Sequence, residues 1–505
     1  MGKIKITNII ISFLLGVLSL TSCNDRVDDL TVFLDSKEVL YEKISIHMGT
    51  EYWNLYSGET IPDLITPKQK YADLFTNDTL NDLIDKWYEK KSKIKNPTLK
   101  RRVEVWHNVL TAAKVNYSEE NLKLQNELEY WLAADEKTEG MPTEEEMKTK
   151  VIKLMQLRNE RSQTLGYNNY SELILDVTEI ELDWLISFAD ILDKRTLEPY
   201  KKLIEDFKSA ENITEFNYSD ALGLIRQYYA NQLVPQVKGD SIKIGLKMIM
   251  DRIGFDYDKF PVRYIENEMP PAIGGQGIAV QIPNDFRIAL LPGMDFQTWM
   301  HELGHGLQAI HTTVQSPILK EYEWCLGSEC GGFSEGMAEV SAKISLNEEW
   351  VNQISPMSED TISEMTINAN LYRPAYLRFW LNLFMFEVEF YKNLDQDPDE
   401  LKRQLTQKYL ILDNPPERVR PVADMAIVSY PLYIQNYAIA EIVSWQVHRT
   451  LQDKYGKEYS TNMNVAQFLI DNFYKDGGLY LWQDRLQKAT GKELDLDGYL
   501  VDMGL

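Results

Sequence analysis

The sequence predicts a mainly α-helical protein, one large domain with a small β-sheet set into it. Three observations carry that prediction. Apolar residues recur at helical spacing through most of the chain, and a single stretch near its middle switches to β-forming residues. Beyond the N-terminal segment, no internal repeat, low-complexity tract or Pro/Gly/Ser linker divides the 505 residues. With 44% hydrophobic and 26% charged residues the composition is globular and can bury a large core, which excludes disorder and a collagen-like fibre. The 77 Asp and Glu outnumber the 53 Lys and Arg, for a net charge of −24. Phosphate binding depends on clustered cations releasing counterions, so this balance argues against nucleic acid as a partner.

The first element is a targeting segment. Lys3 and Lys5 make a basic start, Ile9 to Leu20 an apolar run too short to span a bilayer, and Leu20-Thr21-Ser22-Cys23 follows. This order resembles a bacterial lipoprotein signal. It implies a signal peptide over 1–22, cleavage before a lipid-modified Cys23, an anchor and Asp-rich spacer over 23–35, and one domain over 36–505. The mature chain is then expected to be exported and tethered to a membrane, on its periplasmic or cell-surface face. Besides Cys23 there are only Cys325 and Cys330, spaced to close a small disulfide loop or to remain two isolated thiols.

Helices are expected over about 79–134, 143–166, 184–210 and 436–455. The second opens on Thr143-x-x-Glu146, a capping-box signature, carries Met147, Val151, Leu154 and Met155 on one face, and stops at Gly166. Phe260 to Ile265 and Gly277 to Leu291 read as a strand pair, separated by Glu-Met-Pro-Pro and Gly274-Gly275. The edge near Gly275, Gly277 and Ala279 could align an extended peptide backbone.

Directly after the strands, Thr298-Trp-Met-His301-Glu302-Leu-Gly-His305 contains H-E-x-x-H. Residues four apart on an α-helix differ by about 400°, so His301 and His305 project from one face, one turn apart, and can grip one Zn²⁺. Glu302 lies about 100° further round, placed to take a proton from water without being a ligand. The surrounding helix is apolar (Phe296, Trp299, Met300, Leu303, Leu307, Ile310), where charged groups need a purpose.

Two residues compete as third ligand. His311 follows His301 by the metzincin spacing, but Gln308 replaces the Gly that turns the chain back. On a continuing helix, ten residues carry it about 15 Å along the axis and off the metal face. The stronger candidate lies in Gly331-Gly332-Phe333-Ser334-Glu335-Gly336-Met337-Ala338-Glu339, where Glu335 and Glu339 share a helical face. Glu335 completes a His2Glu set, and Glu339, one turn on, can orient a ligating histidine through its outer nitrogen.

Taken together, these segments resemble the zinc peptidases of the angiotensin-converting-enzyme family and their relatives thimet oligopeptidase and oligoendopeptidase F. Asn284-Asp285-Phe286-Arg287-Ile288, His301-Glu302-Leu-Gly-His305 and Gly332-Phe333-Ser334-Glu335 with Glu339 follow the family pattern in order. Leu157-Arg158-Asn159-Glu160 through Tyr167 is similar to an N-terminal helix of the same group. Tyr430-Pro431-Leu432-Tyr433-Ile434-Gln435-Asn436-Tyr437 looks like the family's tyrosine segment, Tyr437 matching the residue that hydrogen-bonds the oxyanion and Tyr433 standing second. The resemblance implies a helical gluzincin peptidase whose two halves enclose a deep cleft beside a small sheet. It implies Zn²⁺ held by His301, His305 and Glu335, and short peptides as substrates. One departure bears on specificity. The family places a His or Lys shortly before the tyrosine, and Asp424 to Ile434 contains neither, so capture of a free C-terminal carboxylate is not implied. Peptidyl-dipeptidase and oligopeptidase action both stay open, and so does a lipid-anchored, zinc-containing peptide-binding protein without turnover.

Overall fold

The computed structural model describes residues 27–134, 138–235, 237–239, 241–267, 274–416 and 420–505. The signal segment and Cys23 lie outside the described residues. Helices dominate, and one three-stranded sheet is set among them.

The polar spacer expected to reach residue 35 is shorter than that. A 31-residue helix, Val27–Ser57, already begins inside it. Asp28 and Asp29 sit in its first turn, where carboxylates meet the positive end of the helix dipole, and Leu30 and Leu34 are buried. The capping box forms as read. Thr143 Oγ1 accepts from the Glu146 N–H at 3.3 Å and the Glu146 carboxylate accepts from the Thr143 N–H at 2.8 Å, opening Glu144–Thr164. The run expected over 79–134 breaks into Asp78–Glu89, Pro97–Asn116 and Glu119–Ala133. Asn96-Pro97 supplies both an N-cap and a residue that cannot continue the preceding helix.

The strand pair is a triplet. β1 (Val262–Glu266), β2 (Gly275–Gln281) and β3 (Asp285–Leu290) lie in the order β1-β3-β2, parallel between β1 and β3 and antiparallel between β2 and β3. The stretch read as one strand from Gly277 folds back because Pro283 has no N–H for a ladder and the Asn284 N–H closes a turn on Gln281. β2 is therefore an edge strand. It packs on both the N-terminal helix and the helix carrying H-E-x-x-H.

That motif helix, Phe296–His311, starts at an Asp295 cap and buries Phe296, Trp299, Met300, Leu303 and Leu307. Against it lies Gly331–Ile344, the glutamate helix, which packs in turn on Gln435–Tyr455, the tyrosine helix. Gly304 sets the first contact, since a Cβ there would stand 2.6 Å from Ala338 Cα. Arg158, in the helix capped by Thr143, donates to the carbonyls of Ile427 and Val428 at 2.9 and 2.7 Å, tying the N-terminal helices to the segment before the tyrosines. No helix among the described residues is long and apolar enough to cross a membrane.

Candidate metal centre and its cleft

Packing of the motif and glutamate helices brings His301, His305 and Glu335 together, with one ligand atom of each within 4.8 Å of the others. Glu335 Oε2 stands 3.3 Å from His301 Nε2 and 3.9 Å from His305 Nε2. Tetrahedral coordination with bonds of about 2.0–2.2 Å spaces ligand atoms at roughly 3.3–3.5 Å, so the donor set fits a small divalent ion after sub-ångström adjustment. Glu335 Oε2 is also buried without a hydrogen-bond donor, a costly state that a cation would relieve.

The surrounding groups fix these donors. His301 Nδ1 faces Glu339 Oε1 at 3.0 Å, the orienting contact expected from the one-turn spacing of the two glutamates. His305 Nδ1 faces Ser334 Oγ at 3.4 Å, and the Tyr433 hydroxyl donates to Glu335 Oε1 at 2.6 Å. Burial alone would raise the Glu335 carboxyl, but the adjoining imidazoles of His301 and His305 hold it below its ordinary value. Burial drives His305 down to about 4, which keeps its ring neutral and able to donate a lone pair.

Glu302 is 7% exposed and has no place among the ligands. Burial pushes its carboxyl up to about 7, while a backbone N–H from Gly277 opposes that rise. The strand reaches this close because Gly275 and Gly277 lack side chains. A Cβ on Gly275 would meet Glu302 Cγ and Oε1 at 2.9 Å, and one on Gly277 would lie 3.2 Å from Oε2.

A cleft of about 320 Å³ opens over this group. His301, Glu302, His305 and Glu335 line it together with Gly275, Gln276, Tyr433 and Tyr437. Of the strand residues expected to face a peptide, Gly275 lines this cleft. Gly277 and Ala279 instead line a smaller recess behind His305, and Gly277 packs beneath Glu302. The two tyrosines part company. Tyr433 spends its hydroxyl on the Glu335 carboxylate, whereas Tyr437 stacks on Trp380 and its hydroxyl makes no hydrogen bond among the described residues. Leu432, with a φ of 54°, carries this turn and is held by its N–H donating to Glu387 at 3.1 Å.

His311 is elsewhere, its Nδ1 against the Leu307 carbonyl and its ring among Phe255 and Phe260. Cys325 and Cys330 are free, buried thiols with no disulfide between them. Several cleft residues carry no motif. Tyr52 and Tyr56 come from the N-terminal helix, and Glu323, Trp324 and Glu329 from the loop before the glutamate helix. Tyr52 and Tyr56 share a helical face, but so do many core tyrosines, and only the fold distinguishes them.

Comparison with protein-family models and with curated proteins found no match. Solved structures do match over nearly the whole chain. PZ peptidase A with an inhibitor aligns at a TM-score of 0.70 and 15% identity, covering 99% of this chain and 96% of that one. Metallocarboxypeptidase 1 of Trypanosoma cruzi aligns at 0.66 and 13%, covering 93% and 98%. A Pyrococcus furiosus carboxypeptidase aligns at 0.64 and 15%, also covering 93% and 98%. Identities this low leave the narrower kinship with converting enzyme or oligoendopeptidase F as a resemblance. What the likeness establishes is architecture: this chain has the mainly α-helical fold shared by these metallocarboxypeptidases and PZ peptidase A.

Proposed function

We propose that the protein is a zinc-dependent peptidase that hydrolyses short peptides in the cleft. The observation that carries this reading is the orphaned Glu335 Oε2 between two imidazole nitrogens, with the buried, non-ligating Glu302 carboxylate beside them. His301, His305 and Glu335 would hold the zinc, which when bound lowers the pKa of water and polarises a carbonyl. Glu302 takes the proton from the attacking water and passes it to the leaving amine as the C–N bond breaks. Tyr437, whose hydroxyl has no partner among the described residues, donates a hydrogen bond to the oxygen that gains charge, and the cleft-lining end of β2 at Gly275 and Gln276 aligns the substrate backbone. Glu339 and Tyr433 act through the ligands they hold.

Within this chemistry the cleft favours oligopeptidase action. Among its described lining residues there is no Lys or Arg to receive a free C-terminal carboxylate. We further propose export as a lipoprotein anchored through Cys23, which the signal-like sequence supports and which mass spectrometry of the membrane-extracted protein tests.

Glu302→Gln tests the reaction. The variant is expected to bind zinc as the parent does and to lose hydrolysis by several orders of magnitude. Unchanged hydrolysis refutes the mechanism. A zinc-loaded parent that binds peptides without cutting them, free-acid and amidated alike, points to a binding protein instead.

A further inference from the structure

The cleft contains a second group of residues that the hydrolytic machinery does not use. Glu323 and Glu329 both line it, on the loop that leads into the glutamate helix. Glu323 makes no hydrogen bond or ion pair among the described residues. The nearest opposite charge to Glu329 belongs to Arg485, which is already committed to Glu321 at 2.5 Å. Burial raises both carboxyls, reinforced at Glu323 by the charges of Glu329, Glu302 and Glu335 and at Glu329 by those of Glu321 and Glu335, with Glu329 reaching about 8. Among the described lining residues of the cleft, no Lys or Arg pairs with either glutamate.

Aromatic faces stand beside these acids. Tyr52 stacks on Trp324 with ring centroids 4.6 Å apart, Tyr56 stacks on Tyr52, and Tyr430 completes the group. A further observation is independent of the carboxylates. Asn436 is 5% exposed and lines the same cleft, and its Oδ1 acceptor is buried without any donor. Carboxylates without a cation of their own, an amide oxygen without a donor and electron-rich ring faces all call for one kind of ligand, a hydrogen-bond donor with positive charge. The adjoining recess does hold cations, but Lys68 is paired with Glu129 and Arg158 donates to backbone carbonyls.

We infer that Glu323 and Glu329 make the cleft selective for peptides that present an ammonium or guanidinium group close to the scissile bond. This rests on the peptidase reading above and adds the substrate class to it. A bound cation favours the ionised form of both carboxylates and supplies the opposite charge that the lining of the cleft lacks. The cationic group can come from a Lys or Arg side chain or from a free amino terminus. In either case the two glutamates act as specificity residues and leave proton transfer to Glu302.

The test uses the zinc-loaded protein and matched peptides carrying Lys, norleucine or Glu at each position around the cut, with free or acetylated amino termini. The parent is expected to prefer Lys over norleucine in kcat/KM, and a preference that disappears on acetylation alone assigns the cation to the amino terminus. Glu323→Gln and Glu329→Gln should each lower the preference on the order of tenfold, the scale of one partly screened charge pair. Glu323→Lys should shift preference towards Glu peptides. A double Gln variant that cleaves norleucine peptides normally and keeps the parental Lys preference overturns the inference. Peptide binding to Glu302→Gln protein by calorimetry separates the two readings. Tighter binding of Lys than norleucine peptides there, without hydrolysis by the parent, sinks the peptidase reading and upholds the charge selection, while equal binding sinks the selection.

Discussion

Gly304 is where a single methyl group should cost the protein its metal. A Cβ at this position would lie 2.6 Å from Ala338 Cα, 2.9 Å from the Ala338 carbonyl oxygen and 3.0 Å from Ser341 Cβ. Carbon atoms pack at about 3.5–4.0 Å, so Gly304→Ala requires the motif and glutamate helices to part by roughly 1 Å. Two of the obstructing atoms belong to helix backbone and cannot rotate aside. Glu335 lies one turn before Ala338 and moves with it, while metal–ligand distances tolerate only about 0.2 Å. Zinc affinity should fall on the order of a hundredfold, comparable to other displacements of about 1 Å in functional sites. At saturating zinc this removes about 2.7 kcal/mol of zinc-dependent stabilisation, beyond the roughly 1–3 kcal/mol that overpacking costs the metal-free protein. Competition against a chromophoric chelator, with thermal unfolding in the presence and absence of zinc, reads both quantities. Gly223→Ala is the control, because it sits within the helix Tyr218–Ala230 with no atom within 4 Å of the added Cβ. It should gain about 0.5–1 kcal/mol and leave zinc affinity alone. If Gly304→Ala retains zinc affinity within about twofold, the helix contact does not position Glu335 and the reasoning fails.

Glu339→Gln should weaken zinc binding by about 10–100-fold by loosening His301, with hydrolysis restored at high zinc, and chelator competition with activity against zinc concentration checks both. Tyr437→Phe should reduce kcat by about 100-fold with zinc affinity intact, while Tyr433→Phe should show first as weaker zinc binding, because its hydroxyl serves Glu335. Steady-state kinetics and metal titration on the two variants give opposite patterns if these roles are right. Glu387 concerns stability rather than chemistry. Burial pushes its carboxyl up to about 7 from an ordinary 4.5, so its contribution is complete below about pH 4.5 and is lost as pH rises through 7. Glu387→Gln should flatten the fall in unfolding free energy over that window, and denaturant titrations at pH 5 and 8 that match the parent's slope would count against it.

The candidate metal residues were legible because their spacing alone encodes their geometry. His301, His305 and Glu302 share a helix, and the one-turn offset of Glu335 and Glu339 anticipates which stands beside the two imidazole Nε2 atoms and which meets His301 Nδ1. Rejecting His311 needed only helix rise. Other features depended on contacts distant in sequence. The division of labour between Tyr433 and Tyr437 follows from the left-handed turn at Leu432 and from Glu387, neither of which has a sequence signature. The split of the long strand hung on Pro283, whose effect was legible but was outweighed by the β-forming residues on either side. Tyr52 and Tyr56 reach the cleft only because the N-terminal helix packs along β2, a pairing between segments more than 200 residues apart.

That packing gives the chain an uneven geography. Every residue proposed to hold the ion or to steady its ligands falls between His301 and Tyr437, while Tyr52, Tyr56 and Ile174, which line the same cleft, come from the first half of the sequence. Gly49, whose Cβ would stand 3.0 Å from Val280 Cα, presses the N-terminal helix onto the strand beneath Glu302. Damage to the two parts of the chain should therefore be felt differently. A cut or frayed N-terminus would leave an ion still held and a cleft that had lost its discrimination, so metal content alone is a poor measure of an intact preparation.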